Sequence, residues 1–580
     1  MTQQTTRSKV LRRVGAAVAA TIAITTLAAN TGQAASKPSA IKRGGTVNVG
    51  IFDTFPGWCS TQNPANSALM ATRTIYETLF EKTTRGEMVG LLAESGKPDS
   101  TLKVWTVKLR KGVSWSNGTP MTAPNVKIGL DIAFAHNLKA WALGTAVAFG
   151  ANIAKIEATD DYTLKFTLDR PQNDLTGTLY ASGRFFVRAP EMYANATACT
   201  NVPIGTGPFM VESGYSYANA GTKDKLTVIA NPNYWRKDPV TKAKLPYLDK
   251  IVFENIKESS QRAAAIKAGR VDAAMFSSAG DATFIQDLRK KKATLTEYKS
   301  ANEYYPSLWL NQGGSGATAI SSPFKHKPCR EAVAYGLDRK TYVKTRTRGE
   351  ARVADSLVGP NSVMYTKKNF ITYNKAKAIA KVAECKAANG GSFSFTIPAD
   401  TSSVSLNNAK EIQRQMAAVG IEMNIKQDEA AVIIATAFNA GKKNQYQAIP
   451  ILLFEGTDVS FNLPFVVTNM FTSTSTSPAK GLKSIIGDIL SLNRHTDTKV
   501  DEMFYAGEAQ KSAAAAKKKF AAATAYVQAE TLQTSILHFY YTMFTNKKLA
   551  GIGKLQLVKG KTQRIVTNWG IDWTGVYLKG

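Results

Sequence analysis

Val104 to Val126 commits this chain to a particular local structure. Trp105, Val107 and Leu109 alternate with Thr106, Lys108 and Arg110, the period of two that a strand with one buried face requires. Asn117-Gly118 then supplies a tight turn with positive φ, and Pro120 stiffens its exit. Thr122 is placed to cap a helix that carries Val126, Leu130 and Phe134 on one side. Tyr162, Leu164, Phe166 and Leu168 alternate with Thr163, Lys165 and Thr167 in the same way, which predicts a further strand. This part of the chain is therefore mixed α and β.

At 580 residues the chain is too long for one core, and length alone suggests roughly three or four domain-sized units. A hydrophobic content of 44% with 21 prolines excludes a fibrous or disordered chain. Residues 1–34 read as a signal peptide and stand apart from the fold. Arg7, Lys9, Arg12 and Arg13 form its basic start, Val14 to Ala29 its apolar run, and Gly32-Gln33-Ala34 its small-residue cleavage site. That run of about 16 residues falls short of the ~20 that a permanent span needs, so the leader reads as removed and the protein as extracytoplasmic. Arg12-Arg13 fits twin-arginine export weakly. No cysteine near the cleavage site offers a point for lipid attachment.

The 73 Lys and Arg against 43 Asp and Glu give a net charge of +30. Loss of the leader lowers this to about +26, still far from neutral. The basic residues are scattered rather than gathered into a stripe, and export separates the chain from cellular nucleic acid, so no nucleic acid partner is expected. Attraction to an anionic cell envelope and plain solubility both fit. Four cysteines, Cys59, Cys199, Cys329 and Cys385, permit disulfides in an oxidising compartment, and three connectivities are open. None lies at metal-ligand spacing, so neither a metal nor a cofactor is expected. The four histidines are isolated, and neither HExxH nor Gly-x-Ser-x-Gly occurs. Gly560-Lys561-Thr562 imitates the end of a phosphate loop, but Leu555 stands where its first glycine belongs. A pair of carboxylates has no fixed spacing, so a secreted envelope hydrolase stays as a rival to binding. A basic structural protein of the envelope is a third reading.

Several segments carry a resemblance. Val104 to Val126 resembles the segment "LRxGVxFxDGTPxTAxDV" of the family 5 solute-binding proteins of ABC importers, the group of oligopeptide, dipeptide and nickel binders. Gly44-Gly45 and the strand Thr46 to Phe52 resemble the family's opening. A helix expected over about 66–81 ends in Tyr76-Glu77-Thr78-Leu79-Phe80, similar to "YExLF", and Leu92-Ala93-Glu94-Ser95 is similar to "LAESW" without its aromatic. Ile204 to Phe209 resembles "GTGPF"; with no Lys-Ser/Thr and no helix after it, it reads as a structural turn joining lobes rather than a phosphate loop. Asn231 to Trp235 resembles "NPxYW", Tyr247 to Phe253 "YLDxIVF", and Arg262 to Ala273 a helix and strand with Gly269 as C-cap. Leu308 to Asn311 and Pro323 to Arg339 continue the likeness, with Arg330, Ala334, Tyr335, Asp338 and Arg339 matching. Beyond about residue 340 it thins.

The resemblance implies an α/β, two-lobed periplasmic-binding-protein-like fold (type II, cluster C) with an extra α/β domain inserted in lobe 1. The implied parts are a tether at 35–43, the start of lobe 1 at 44–65, the extra domain at 66–185, lobe 1 at 186–300, lobe 2 at 301–545 and a return to lobe 1 at 546–580. The family's chain path pairs Cys59 with Cys199 and Cys329 with Cys385, each within one lobe. It implies a non-catalytic receptor, a monomer, that binds a small-molecule or peptide solute between its lobes and hands it to the transmembrane subunits of an ABC permease. The implied solute-contacting residues are Trp58 in the first loop, Tyr304 and Asn311 in a second region, and Phe454, Glu455 and Asp458 in a third. Peptide binders carry a Trp-x-x-Asp-type motif in the third region, whose carboxylate pairs with the peptide's amino terminus. Here the Trp is absent and the acid spacing is displaced, so either Glu455 or Asp458 replaces the carboxylate or the solute is not a peptide; the family resemblance puts oligopeptides first, with sugars or other non-peptide solutes close behind.

Overall fold

The strand Thr46–Ile51 alternates an exposed start with Val47, Val49 and Ile51, all buried. It is the centre of a seven-stranded sheet, in parallel with Lys250–Asn255 on one side and Ala273–Ser277 on the other. The structure is a computed structural model, and it describes residues 41–53, 55, 57–59, 66–134, 136–137, 152–195, 197–200, 203–212, 225–300, 304–314, 319–437, 446–453, 492–567 and 569–580. The expected leader lies outside the described residues. Antiparallel strands Lys225–Ala230 and Phe209–Val211 extend one edge of the sheet. On the other side Tyr541–Asn546 inserts antiparallel between Ala273–Ser277 and Leu295–Lys299. Tyr541 to Thr545, expected in lobe 2, thus belong to the first sheet. A six-residue strand buried on both faces has no alternation to show which sheet it joins.

The sheet is covered on both faces because its strands alternate between two cores. Ala274, Phe276 and Phe544 pack against Ile266, Ile285 and Leu288 of the helices Ser259–Lys267 and Ala282–Arg289. Val47, Val49, Ile251, Phe253 and Met275 face the larger core that includes Leu69 and Met70 of the helix Asn66–Ile75. Gly269, at φ +72°, supplies the left-handed turn that ends its helix.

That first helix stops at Ile75, not near residue 81. Gly207 N donates to Ile75 O at 2.9 Å, and Phe80–Lys82 pairs instead with Met88–Gly90. The glycines of the 204–209 segment are required here by close approach and not by φ. A Cβ on Gly205 would lie 2.2 Å from Ile75 O, and one on Gly207 2.4 Å from Thr74 O. The turn packs on the helix end within the first part of the molecule and does not join lobes.

Val104–Leu109 and Thr163–Leu168 are the inner strands of a four-stranded antiparallel sheet, with Trp105 opposite Phe166, and Trp105, Val107, Leu109, Leu164, Phe166 and Leu168 all buried. The helix Ala123–Ala133 follows, Val126 and Leu130 inward. Thr122 sits at its N-cap without a side-chain hydrogen bond, the first turn being set by proline instead.

A second region is built on Tyr305–Leu310, flanked antiparallel by Ala448–Leu453 and Gln533–Ser535. Beside it the parallel pair Ser394–Ala399 and Glu422–Gln427 is connected through the helix Ser403–Ala417. Disulfides join Cys59 to Cys199 and Cys329 to Cys385.

Candidate functional site

The chain passes from the seven-stranded sheet to the three-stranded sheet between Leu295–Lys299 and Tyr305–Leu310, and returns between Leu537–His538 and Tyr541–Asn546. The two passes are antiparallel and paired. Tyr304 N donates to Phe539 O at 2.8 Å and Phe539 N to Tyr304 O at 2.9 Å. Ser300 N donates to Tyr541 O at 2.8 Å just before. A short two-stranded connection of this kind absorbs a rotation between two lobes in a few residues.

Aromatic rings crowd the connection. The Tyr304 centroid lies 4.9 Å from Tyr541 and 5.8 Å from Phe539, and Phe539 is 5.2 Å from Tyr541. Phe52 stacks on Tyr541 at 6.4 Å. Phe52 directly follows the central parallel strand, and the carboxyl ends of parallel strands are where α/β sheets hold ligands.

Asp53 follows at that strand end. Its Oδ2 accepts from Ser67 N and Ser67 Oγ, both at 2.8 Å, while Ser67 Oγ accepts from Phe52 N and Asp53 N at 3.0 Å. Burial raises the Asp53 carboxyl above the ordinary carboxylate range, opposed by these bonds and by the Arg262 and Arg184 guanidiniums. Phe52, Asp53, Arg184, Phe539 and Tyr541 were not singled out in the sequence. Asp53 had one signal, its place directly after the opening strand.

Trp58 is buried in the first loop, its ring 4.5 Å from Phe55. Its carbonyl accepts from Arg188 Nε at 3.2 Å, and the neighbouring Cys59 is bonded to Cys199. Arg188 lies over the Tyr76 ring at 4.9 Å. Trp58 and Tyr304 belong to one core together with Phe55 and Tyr541. Asn311 stands apart from them. It follows the strand Tyr305–Leu310, so it lies roughly 20 Å along the chain from Tyr304 at the rise of an extended strand. Its side chain shapes a turn: Oδ1 accepts from Gly313 N at 2.9 Å and Nδ2 donates to Tyr446 O at 3.3 Å. Phe454, Glu455 and Asp458 lie outside the described residues.

Beside the crossing, Arg289 joins the two regions. Its guanidinium donates to Glu297 at 2.8 and 2.9 Å and to Glu350 at 2.8 and 3.0 Å, and the Tyr540 hydroxyl also donates to Glu350. These partners hold the Glu350 carboxyl down to about 2 in spite of its partial burial. Among the described residues no cluster of His, Cys, Asp and Glu is arranged to hold a metal ion, and no helix is long and apolar enough to cross a membrane.

Residues 87–478 match the family model described as bacterial extracellular solute-binding proteins, family 5, middle part. The glutathione-binding protein GsiB of Escherichia coli K12 is 26% identical over 429 residues, which is 70% of this chain and 77% of that protein. Two solved structures share the fold. The periplasmic binding protein DppA of Helicobacter pylori, in complex with the peptide STSA, superimposes with a TM-score of 0.74 at 19% identity over 93% of this chain and 99% of that one. AgaA from A. tumefacien R10, in complex with agropinic acid, gives 0.75 at 20% identity over 92% and 99%.

Proposed function

The chain belongs to the bacterial extracellular solute-binding proteins of family 5, and from that premise we propose that it captures short peptides between its lobes. As a member it is an extracytoplasmic solute-binding protein that works with an ABC permease. The peptide reading is supported chiefly by Asp53, an acid off the end of the central parallel strand, directly after Phe52, whose ring stacks on Tyr541. Apolar walls with a few fixed polar groups are what a small-solute site requires. GsiB is named for glutathione and DppA was solved with a peptide, which favours this class over sugars.

In this reading Trp58 and Tyr304 form part of the wall, and Asn311 acts through the turn it stabilises. Glu455 or Asp458 takes the peptide's amino terminus. The protein acts as a monomer without catalysis, and residues 1–34 direct its export. Residues 66–185 form a domain added to the first lobe. Solute that touches both lobes favours the closed arrangement, because only there are all its contacts made.

Native mass spectrometry of gently purified protein, followed by thermal shift with synthetic peptides of two to five residues, tests the reading. A co-purifying peptide and a concentration-dependent rise in Tm are expected, since binding to the native state alone stabilises it. A co-purifying non-peptide solute, with no response to any peptide, would refute it.

A further inference from the structure

A second junction spans the two regions and shares no residue with the crossing. The loop after the strand Thr163–Leu168 meets the C-terminal end of the helix Thr498–Glu508, which lies between the two passes of the chain. Asn173 N donates to Glu508 O at 2.9 Å, and Asn173 Nδ2 donates to Gly507 O at 3.1 Å and Gln510 O at 2.8 Å. The last carbonyls of a helix have no partner within it. Here the Asn173 backbone N–H serves Glu508 O, and its side chain adds bonds to Gly507 O, which also accepts from Gln510 N, and to Gln510 O beyond the helix.

Arg170 adds charge to the same place. Its Nη2 lies 3.1 Å from Glu508 Oε2, with the two side chains 14% and 5% exposed, and its guanidinium sits 4.0 Å over the Tyr505 ring. A cation at a helix C-terminus is also favoured by the helix dipole. The loop keeps its shape by its own bonds. Arg170 N donates to Asn152 Oδ1 and Asn152 Nδ2 to Arg170 O, each at 3.0 Å, and Gln172 Nε2 donates to Thr178 Oγ1 at 2.8 Å. The side chains of Asn173 and Arg170 are therefore presented by a preformed loop, and are not what folds it.

We infer that Asn173 and Arg170 form a latch that caps the helix Thr498–Glu508 from the opposite lobe and favours the closed arrangement, making both positioning residues for solute capture. The inference rests on the two-lobed fold and not on the identity of the solute. When the lobes part, water takes over the helix carbonyls and the guanidinium, so the latch biases the equilibrium without locking it.

The test is pulsed EPR on the full chain without added solute, spin-labelled at Lys97→Cys and Lys518→Cys, both exposed positions, one on either side of the junction. The double variant Asn173→Ala/Arg170→Ala is expected to lower the ratio of short to long distances about tenfold, the scale of losing several hydrogen bonds, one of them charged. Asn173→Asp, equal in size but unable to donate, is expected to shift it the same way with Tm and near-UV circular dichroism unchanged. Unchanged distances in both variants overturn the inference. So does loss of the near-UV signal in both, because the two residues would then serve the fold itself.

Discussion

The Tyr234 hydroxyl donates to Glu77 Oε1 across 2.9 Å, and the indole of the adjacent Trp235 donates to Oε2 of the same carboxylate at the same distance. One buried acid just past the first helix is thus shared by a pair just past the strand Lys225–Ala230. Burial outweighs the two bonds and pushes the Glu77 carboxyl up to about 6.

A raised carboxyl pKa in the fold means stability that is fully present below the unfolded value near 4.5 and is lost as pH rises through about 6. Relative to Glu77→Gln, the native protein should lose about 2 kcal/mol between those limits, one and a half pKa units' worth of linkage. Urea unfolding of both proteins from pH 4 to pH 7 measures it, and parallel curves would contradict it.

Glu350 should behave in the opposite sense. Its carboxyl is held down to about 2, so its contribution is present above the unfolded value near 4.5 and lost as pH falls through about 2. Glu350→Gln should unfold at lower urea than the native protein at pH 7, and the gap should narrow steadily from pH 4.5 to pH 2.

Gly205→Ala places a Cβ 2.2 Å from Ile75 O, and neither backbone can yield without disturbing the helix end. The expected cost is about 3 kcal/mol, at the upper end of ordinary overpacking, read as a lowered Tm. Gly269→Ala, with nothing near its Cβ but φ +72°, should cost only about 1 kcal/mol from the left-handed backbone. A larger loss at Gly269 than at Gly205 would overturn the close-approach account.

The disulfide Cys59–Cys199 closes 140 residues and Cys329–Cys385 closes 56. Replacing each pair by alanine should cost, by chain entropy, about 4 kcal/mol for the shorter loop and about 5 kcal/mol for the longer. Differential scanning calorimetry of the two double variants measures both losses. The loss of Cys59–Cys199 should also free the loop carrying Trp58 and raise its fluorescence quenching by acrylamide.

The four-stranded sheet was readable because its information is local. Trp105, Val107 and Leu109 state which face is buried, and Gly118, at φ +87°, states where the chain turns. The first helix was overestimated because Tyr76, Leu79 and Phe80 continue an apolar pattern. What ends the helix is Gly207, more than a hundred residues away. Arg330 and Arg339 stood out in the sequence, but nothing local showed that both would be buried and spent on carbonyls. Arg330 Nε donates to Glu530 O at 3.0 Å and Arg339 Nε to Ser535 O at 2.7 Å. Trp58 and Tyr304 are marked by family position, and both are buried in the larger hydrophobic core. Asp53 had only its place after the opening strand to mark it, and the Asn173 loop depends on contacts with a distant segment, for which a single sequence carries no signal.

The strand Tyr541–Asn546 has a consequence for how the molecule is made. It is the bridge between Ala273–Ser277 and Leu295–Lys299, and it comes far later in the chain than either of them. The main sheet is therefore completed only after the region between the two passes has been made, and that region is contiguous and able to mature earlier. Until the C-terminal end is available, the N-terminal half carries an open gap in its main sheet, with unpaired edges facing each other. A chain cut before Tyr541 would accordingly leave the opening strands, made long before, without a finished sheet to join.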